Sequence, residues 1–138
     1  MSDAELAAAD LWATGVAPDS HPVEFARPYL DERGAYSTAG LAAVEHGTRV
    51  WVGGVVTHRQ RPSTAGGIVF VNLEDETGML NVVCRKEVWA RYRRVARASS
   101  ALLVRGILER VEGATNLVAD RIEPLSLATS SPKARDFR

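Results

Sequence analysis

Residues 68–84 read IVFVNLEDETGMLNVVC and carry the clearest structural pattern in the chain. Over 68–75 and again over 79–84, every second position is apolar and would lie on one face of a strand, which is typical of strands with one buried face. The intervening Glu76-Thr77-Gly78 has the composition of a tight turn, so the two strands are predicted to form a hairpin. The side chains expected to face the interior are Val69, Val71, Leu73, Leu80 and Val82.

A valine-rich segment at 49–61 precedes this hairpin and is predicted to be a long strand. It contains Gly53-Gly54, and a glycine pair within a strand often marks a bulge or a bend. Residues 62–67 read PSTAGG and are predicted to form a loop.

A helix and a second hairpin are predicted after residue 84. Residues 88–98 have apolar side chains at helical spacing, with Trp89 and Tyr92 expected to plug one end of the sheet. Strands at 101–110 and 116–122 are joined by a turn at Glu112-Gly113.

The order of elements is strand, hairpin, helix, hairpin, which is typical of the OB-fold. We therefore predict an all-β protein, a five-stranded Greek-key barrel with one helix between strands 3 and 4, rather than a β-sandwich. The expected divisions are a helical N-terminal segment at 1–46, the OB-fold at 47–125 and a flexible tail at 126–138. Within 1–46, short helices are expected at 4–13, at 37–44, and from Pro22 to near Gly34, the last carrying Val23, Phe25, Ala26 and Leu30.

Composition excludes several classes of protein. The 138 residues are 46% hydrophobic and 25% charged, which indicates a globular chain. No apolar run approaches the ~18 residues of a membrane span, and no signal peptide is evident, so we expect a cytoplasmic protein. The single cysteine, Cys84, cannot form an internal disulfide, and the scattered histidines predict no metal or other cofactor.

Charge is distributed unevenly along the chain. Residues 1–48 contain two basic and eight acidic side chains, whereas residues 49–138 contain fifteen basic and nine acidic ones. A basic segment favours a polyanionic partner such as nucleic acid. The alternative is that the two oppositely charged halves pair with each other.

The sequence also resembles a known family. VGGVVTHRQRP at 52–62, followed by FVNLEDETG at 70–78, is similar to the C-terminal OB module of bacterial error-prone DNA polymerases, in the polymerase III alpha-subunit family. The likeness runs from about residue 10 to residue 125. Members of that family are several times longer, so this chain is expected to lack the polymerase domains and to be non-enzymatic. Because the sequence begins with Met, a stand-alone relative is expected.

The only acidic run, Glu74-Asp75-Glu76, has two interpretations. It could hold a metal ion, or it could be a solvated turn in which an aspartate accepts hydrogen bonds from its own backbone. The turn is the favoured interpretation.

A nucleic-acid-binding surface is predicted on the outer face of the 68–84 hairpin. Phe70 is the expected stacking ring, unless a slip of one residue turns it inward. Asn81 is expected to lie opposite Phe70. The hairpin is also similar to the anticodon-binding barrel of class II aminoacyl-tRNA synthetases, in which an aromatic residue and an amide at the places of Phe70 and Asn81 read bases. The full predicted set is His58, Arg59, Gln60 and Arg61 from the first loop, Phe70, Asn72 and Asn81 from the hairpin, and Arg110, with Asn116 nearby.

The predicted helix carries arginines on one side, at positions 91, 93, 94 and 97. They could contact phosphates, but the favoured interpretation is a solvated surface or one that docks an acidic partner or the acidic N-terminal segment.

The functional hypothesis is a single-stranded DNA-binding module that assists DNA replication or error-prone repair synthesis. The alternatives are a module that recruits a polymerase or other replisome proteins, and an RNA- or tRNA-binding domain.

Overall fold

A computed structural model describes residues 21–61 and 66–127. The strands are β1 (Arg49–Gln60), β2 (Val69–Asp75), β3 (Gly78–Cys84), β4 (Ala101–Val111) and β5 (Ala114–Pro124). The α-helices are α1 (Arg27–Glu32) and α2 (Lys86–Ala98), and short 3-10 helices span Pro22–Ala26 and Ala39–Ala43. The helix predicted at 4–13 and most of the predicted tail lie outside the described residues.

The five strands form a closed barrel in the order β1-β2-β3-β5-β4. β4 pairs with β1 and closes the barrel, and all pairings are antiparallel except the short parallel one between β3 and β5. With α2 between β3 and β4, this topology confirms the predicted OB-fold.

Strand β1 is long enough to serve two neighbours. Its first half pairs with β4 and its second half with β2, and Val55 pairs with both strands. Gly54 lies near this switch, and a Cβ there would be 2.8 Å from the carbonyl oxygen of Glu74. The register irregularity lies later, between Val56 and His58. Gly54 therefore marks a close approach of two backbones at the point where β1 changes partners. Of the two expected features, the bulge does not lie at the glycine pair.

The barrel interior is filled by the residues that the alternation predicted. Val69, Val71 and Leu73 are buried, and Leu80 and Val82 of the adjacent strand β3 are buried beside them. Trp89 and Ala96 of α2 join the same cluster, and Tyr92 packs against it. The helix thus covers one end of the barrel, as expected from its apolar side.

A second apolar cluster lies on the outside of the barrel, where the N-terminal helices pack. Val23, Ala26 and Leu30 are buried there against Ala101, Leu103 and Leu125. Phe25, the fourth apolar residue named for this segment, is 44% exposed. Gly53 makes room for this packing, because a Cβ at that position would lie 2.7 Å from the Leu30 side chain.

The acidic turn after β2 holds the N-terminal segment to the barrel. Asp75 is 2% exposed, and its carboxylate accepts hydrogen bonds from the backbone and hydroxyl groups of Thr38 and Thr77 and from the Gly78 amide. Arg27 donates to Asp75 and forms a two-pronged ion pair with Glu76. The turn is therefore not solvated as expected, although Asp75 does bind its own turn backbone.

These contacts determine the protonation of both carboxyl groups. Burial alone would raise the pKa of Asp75, but the hydrogen bonds donated by Thr38 and Thr77 outweigh it and hold that pKa below its ordinary value. The hydrogen bond from Arg27 lowers the pKa of Glu76 in the same way. Both groups are therefore carboxylates at neutral pH, with Arg27 as their counter-charge.

Candidate nucleic-acid interface

The outer face of the barrel carries a row of polar side chains across four strands. Strand register places His58 of β1 beside Asn72 of β2, Asn72 beside Asn81 of β3, and Asn81 beside Asn116 of β5. All four side chains are on the face opposite the core because residues alternate along each strand. The row offers one imidazole and three amides to a ligand lying across the strands.

A second, mostly apolar row runs parallel to it. Gln60 pairs with Phe70, Phe70 with Val83, and Val83 with Val118. Phe70 is only partly buried and is not a member of the core, so its ring lies on the outer face as the alternation predicted. Asn81 is paired with Asn72, and Phe70 is paired with Val83. The expectation that Asn81 lies directly opposite the Phe70 ring was therefore wrong.

The two rows enclose a shallow groove of about 250 Å³. Its lining brings together five of the eight predicted side chains, namely His58, Gln60, Phe70, Asn72 and Asn81.

Hydrogen bonding in the groove is incomplete. The Asn81 amide donates to the Asn116 carbonyl oxygen at 3.1 Å, which fixes both side chains. The side-chain oxygen of Asn72 is buried and has no hydrogen-bond partner in the described part of the chain. A buried acceptor without a donor is unfavourable, so a ligand N–H that reached Asn72 would be stabilised there. Next to it, Phe70 offers a planar apolar face of the kind on which bases stack.

Arg59 lies on the other side of β1 from this groove. Its guanidinium donates to the carbonyl oxygen of Ala96 at 2.8 Å and to that of Ser99 at 3.1 Å, at the C-terminal end of α2. This satisfies carbonyls that the helix leaves unpaired and places a cation at the negative end of its dipole. The prediction placed all of residues 58–61 on one binding surface. Because β1 extends to Gln60, positions 58 and 60 lie on the side of the strand opposite to Arg59.

Arg110 is also engaged elsewhere. Its guanidinium donates to the carbonyl oxygens of Leu41 and Val44, at the end of the Ala39–Ala43 helix. Its backbone N–H donates to Nδ1 of His46 at 2.9 Å. The structure therefore assigns Arg110 a role in anchoring the N-terminal segment and does not bring it into the groove.

The arginines of α2 are all exposed. Arg91, Arg93, Arg94 and Arg97 form no ion pair with any carboxylate of residues 21–61 or 66–127. Sequence spacing located this stripe correctly, but it did not show that Arg97 and Arg61 come together beside Trp89.

Two kinds of reactive site, a cluster of metal ligands and an ionised cysteine, are absent from the described residues. Within residues 21–61 and 66–127, no group of three or more His, Cys, Asp or Glu side chains is placed to hold a metal ion. Burial raises the pKa of the Cys84 thiol to about 12, so this buried group stays protonated. In the same part of the chain, no helix is long and apolar enough to cross a membrane.

Relatives with similar sequences are polymerases. Over its full length the chain is 56% identical to part of an error-prone DNA polymerase of Nocardia farcinica, and 53% identical to part of one from Mycobacterium tuberculosis. It covers 12% of each, so it spans about one eighth of the length of these curated relatives.

Solved structures with the same fold are more distant. An asparaginyl-tRNA synthetase of Pyrococcus horikoshii, complexed with asparaginyl-adenylate, superposes with a TM-score of 0.56 at 20% identity. That match covers 71% of this chain and 24% of the synthetase. The OBody AM1L10, bound to hen egg-white lysozyme, gives a TM-score of 0.52 at 21% identity, covering 67% of this chain and 93% of the OBody.

A family model described as "OB-fold nucleic acid binding domain" matches residues 50–125, which is more than half of the chain. The matched segment includes all five strands from Val50 onward, the helix α2 and all five groove residues. The chain therefore belongs to the family of OB-fold nucleic acid binding domains.

Proposed function

We propose that this chain is a non-catalytic module that binds single-stranded DNA during error-prone or other DNA synthesis. The observation that carries the proposal is the groove in which Phe70 lies beside His58, Gln60, Asn72 and Asn81. An aromatic ring flanked by hydrogen-bonding groups is suited to unpaired bases, which stack on the ring and form hydrogen bonds along their edges. The similarity to polymerases supports DNA as the polymer.

The proposed mode of binding tolerates any sequence. Every base has a face that can stack on Phe70, and the side-chain amides of Asn72 and Asn81 both donate and accept hydrogen bonds. Affinity is then shared between stacking and phosphate contacts. If about four phosphates are neutralised, the logarithm of the binding constant falls with the logarithm of salt concentration with a slope of roughly −3.

The state of the acidic turn supports a binding role rather than catalysis. Metal-dependent phosphoryl transfer needs carboxylates that are open to metal ions. Here the Asp75 carboxylate is buried and is occupied by donors from Thr38, Thr77 and Gly78, and Glu76 is paired with Arg27. We infer that nucleotide chemistry belongs to other parts of the longer relatives.

Fluorescence anisotropy with a labelled oligothymidylate of about 15 nucleotides tests the proposal. Phe70→Leu is expected to weaken binding by about 5- to 150-fold, because one stacked base contributes roughly 1–3 kcal/mol. The matched control is Phe25→Leu, which removes an exposed ring from the N-terminal helix outside the groove. Equal affinities of the two variants, or no binding by the unmodified chain, would reject the proposal. If a matching RNA oligonucleotide binds more tightly than the DNA, the ligand of the module is RNA and not DNA.

The arginine face of α2 favours a second role, in which the module recruits an acidic protein partner. Its support is the exposure of Arg91, Arg93 and Arg94 without a described carboxylate partner. Partners that are retained from cell extract after nuclease treatment, and lost when the three arginines are changed to glutamine, would establish this role.

A further inference from the structure

A second cavity lies on the other side of the end of β1. It has a volume of about 310 Å³ and is lined by Arg59, Gln60, Arg61, Val69, Trp89 and Arg97. We call it the arginine pocket. Gln60 also lines the Phe70 groove, so the two cavities meet at this residue.

The three guanidinium groups of the arginine pocket are not neutralised by carboxylates. Some arginines outside the pocket are paired with carboxylates: Arg33 with Glu123, and both Arg49 and Arg105 with Asp120. In contrast, no carboxylate of the described residues forms an ion pair with an arginine of the pocket. Three cations around one concave site create a positive potential that favours an anion.

Part of the pocket is already fixed in position. Arg59 is held by the carbonyl oxygens of Ala96 and Ser99, so its charge is ordered before any ligand arrives. Trp89 is 7% exposed and forms the apolar wall. Its indole N–H is buried and has no acceptor within residues 21–61 and 66–127. Arg59 and Trp89 both line the pocket, so it combines an ordered cation with a residue whose N–H has no partner, and both groups are donors that an oxyanion accepts from.

We propose that the arginine pocket binds a phosphate group of the nucleic-acid backbone. Guanidinium groups bind phosphate oxygens through paired, charge-assisted hydrogen bonds, and Arg61 and Arg97 are free to rearrange around such a group. The choice of ligand rests on the function proposed above. A single-stranded nucleic acid that stacks on Phe70 would reach the arginine pocket by passing over Gln60, which lines both cavities. The binding site then extends from the strands β1–β3 onto the C-terminal part of α2.

The test compares two variants of α2 with the same change of charge. Arg97→Gln removes a cation of the pocket, whereas Arg93→Gln removes an exposed cation that does not line it. With an oligothymidylate of about 15 nucleotides, Arg97→Gln is expected to weaken binding about tenfold and to reduce the salt slope by about 0.7. Arg93→Gln is expected to leave both within the error of the measurement.

The NMR resonance of the Trp89 indole N–H provides a second measure of phosphate binding in the arginine pocket. Adding the oligonucleotide is expected to shift this resonance in the unmodified chain and in Arg93→Gln, but much less in Arg97→Gln. If Arg97→Gln behaves like Arg93→Gln while Phe70→Leu still weakens binding, the pocket proposal fails and the proposed function stands. If no oligonucleotide binds the unmodified chain, both proposals fail.

Discussion

Asp75→Asn is predicted to destabilise the protein more than any other change of a single charge. In the native chain, one oxygen of Asp75 accepts from the Thr38 hydroxyl, the Thr77 amide and hydroxyl, and the Gly78 amide. The other oxygen accepts from the Thr38 amide at 2.9 Å and from Arg27 at 3.3 Å. Asparagine has only one acceptor oxygen. Its NH2 group would replace the other carboxylate oxygen and would point at N–H or O–H groups that can only donate, so those hydrogen bonds would be lost.

The magnitude follows from the bonds that are lost. Hydrogen bonds to a buried charged group contribute about 1.5–3 kcal/mol each, and asparagine loses at least the two on one oxygen. Arg27 also loses part of its compensating charge while it remains partly buried. The expected loss in the free energy of unfolding is about 3–5 kcal/mol, in the range for breaking one side of a buried ion pair.

Urea denaturation followed by tryptophan fluorescence at about pH 7 measures this loss. Asp31→Asn is the matched control, because Asp31 is an exposed carboxylate of α1, and it is expected to change stability by less than about 0.5 kcal/mol. A loss of less than about 1 kcal/mol for Asp75→Asn would refute the view that this carboxylate joins the hairpin to the N-terminal segment.

The pH dependence provides an internal check. Because the pKa of Asp75 is lowered in the folded state, its stabilising effect is present above its ordinary value of 3.8. That effect is lost as the pH falls through the lowered value. The difference between the native chain and Asp75→Asn should therefore shrink on acidification, and a difference that stays constant would contradict the assignment.

Three further predictions concern the barrel and its helix. Arg59→Ala should lower the free energy of unfolding by about 1 kcal/mol, because it leaves the carbonyls of Ala96 and Ser99 without a donor. Urea denaturation measures this loss, and Arg91→Ala, which removes an exposed arginine without that role, is the control. Gly106→Ala should lower the free energy of unfolding by about 3 kcal/mol or more, because its Cβ would clash with the backbone carbonyl oxygen of Val118 in β5. A stable variant in thermal melts would show that the strand can shift. Cys84 should resist iodoacetamide until urea unfolds the chain, because its thiol is buried with a pKa of about 12, and rapid labelling of the folded protein would contradict its burial.

The fold could be predicted because its signals are local. The alternation of Val69, Val71 and Leu73 predicted which side of β2 is buried. Phe70 lies between two of these residues, so it was predicted to lie on the outer side. Helical spacing in 88–98 likewise identified Trp89 and Ala96 as buried. In each case the pattern repeats within one element, so no knowledge of tertiary contacts was needed.

The missed features depend on contacts between distant parts of the chain. Asp75 looked like a turn residue because Thr38 and Arg27, which bury it, lie more than 35 residues away in sequence. Arg110 looked free because its acceptors are carbonyls of the N-terminal segment. Arg59 was misplaced for a simpler reason. The predicted strand at 49–61 already implies that residues 58 and 59 lie on opposite sides, but the binding prediction put both on one surface.

The most direct test of the account maps a bound strand on the outer face of the barrel. In a two-dimensional NMR titration with an oligothymidylate of about 15 nucleotides, the side-chain amide signals of Asn72 and Asn81 and the ring signals of Phe70 should shift together. The indole signal of Trp51, which stacks with Arg33 and Arg105 outside the groove, should not move. Shifts confined to Trp51 and its neighbours, with the Phe70 groove unchanged, would contradict the central claim.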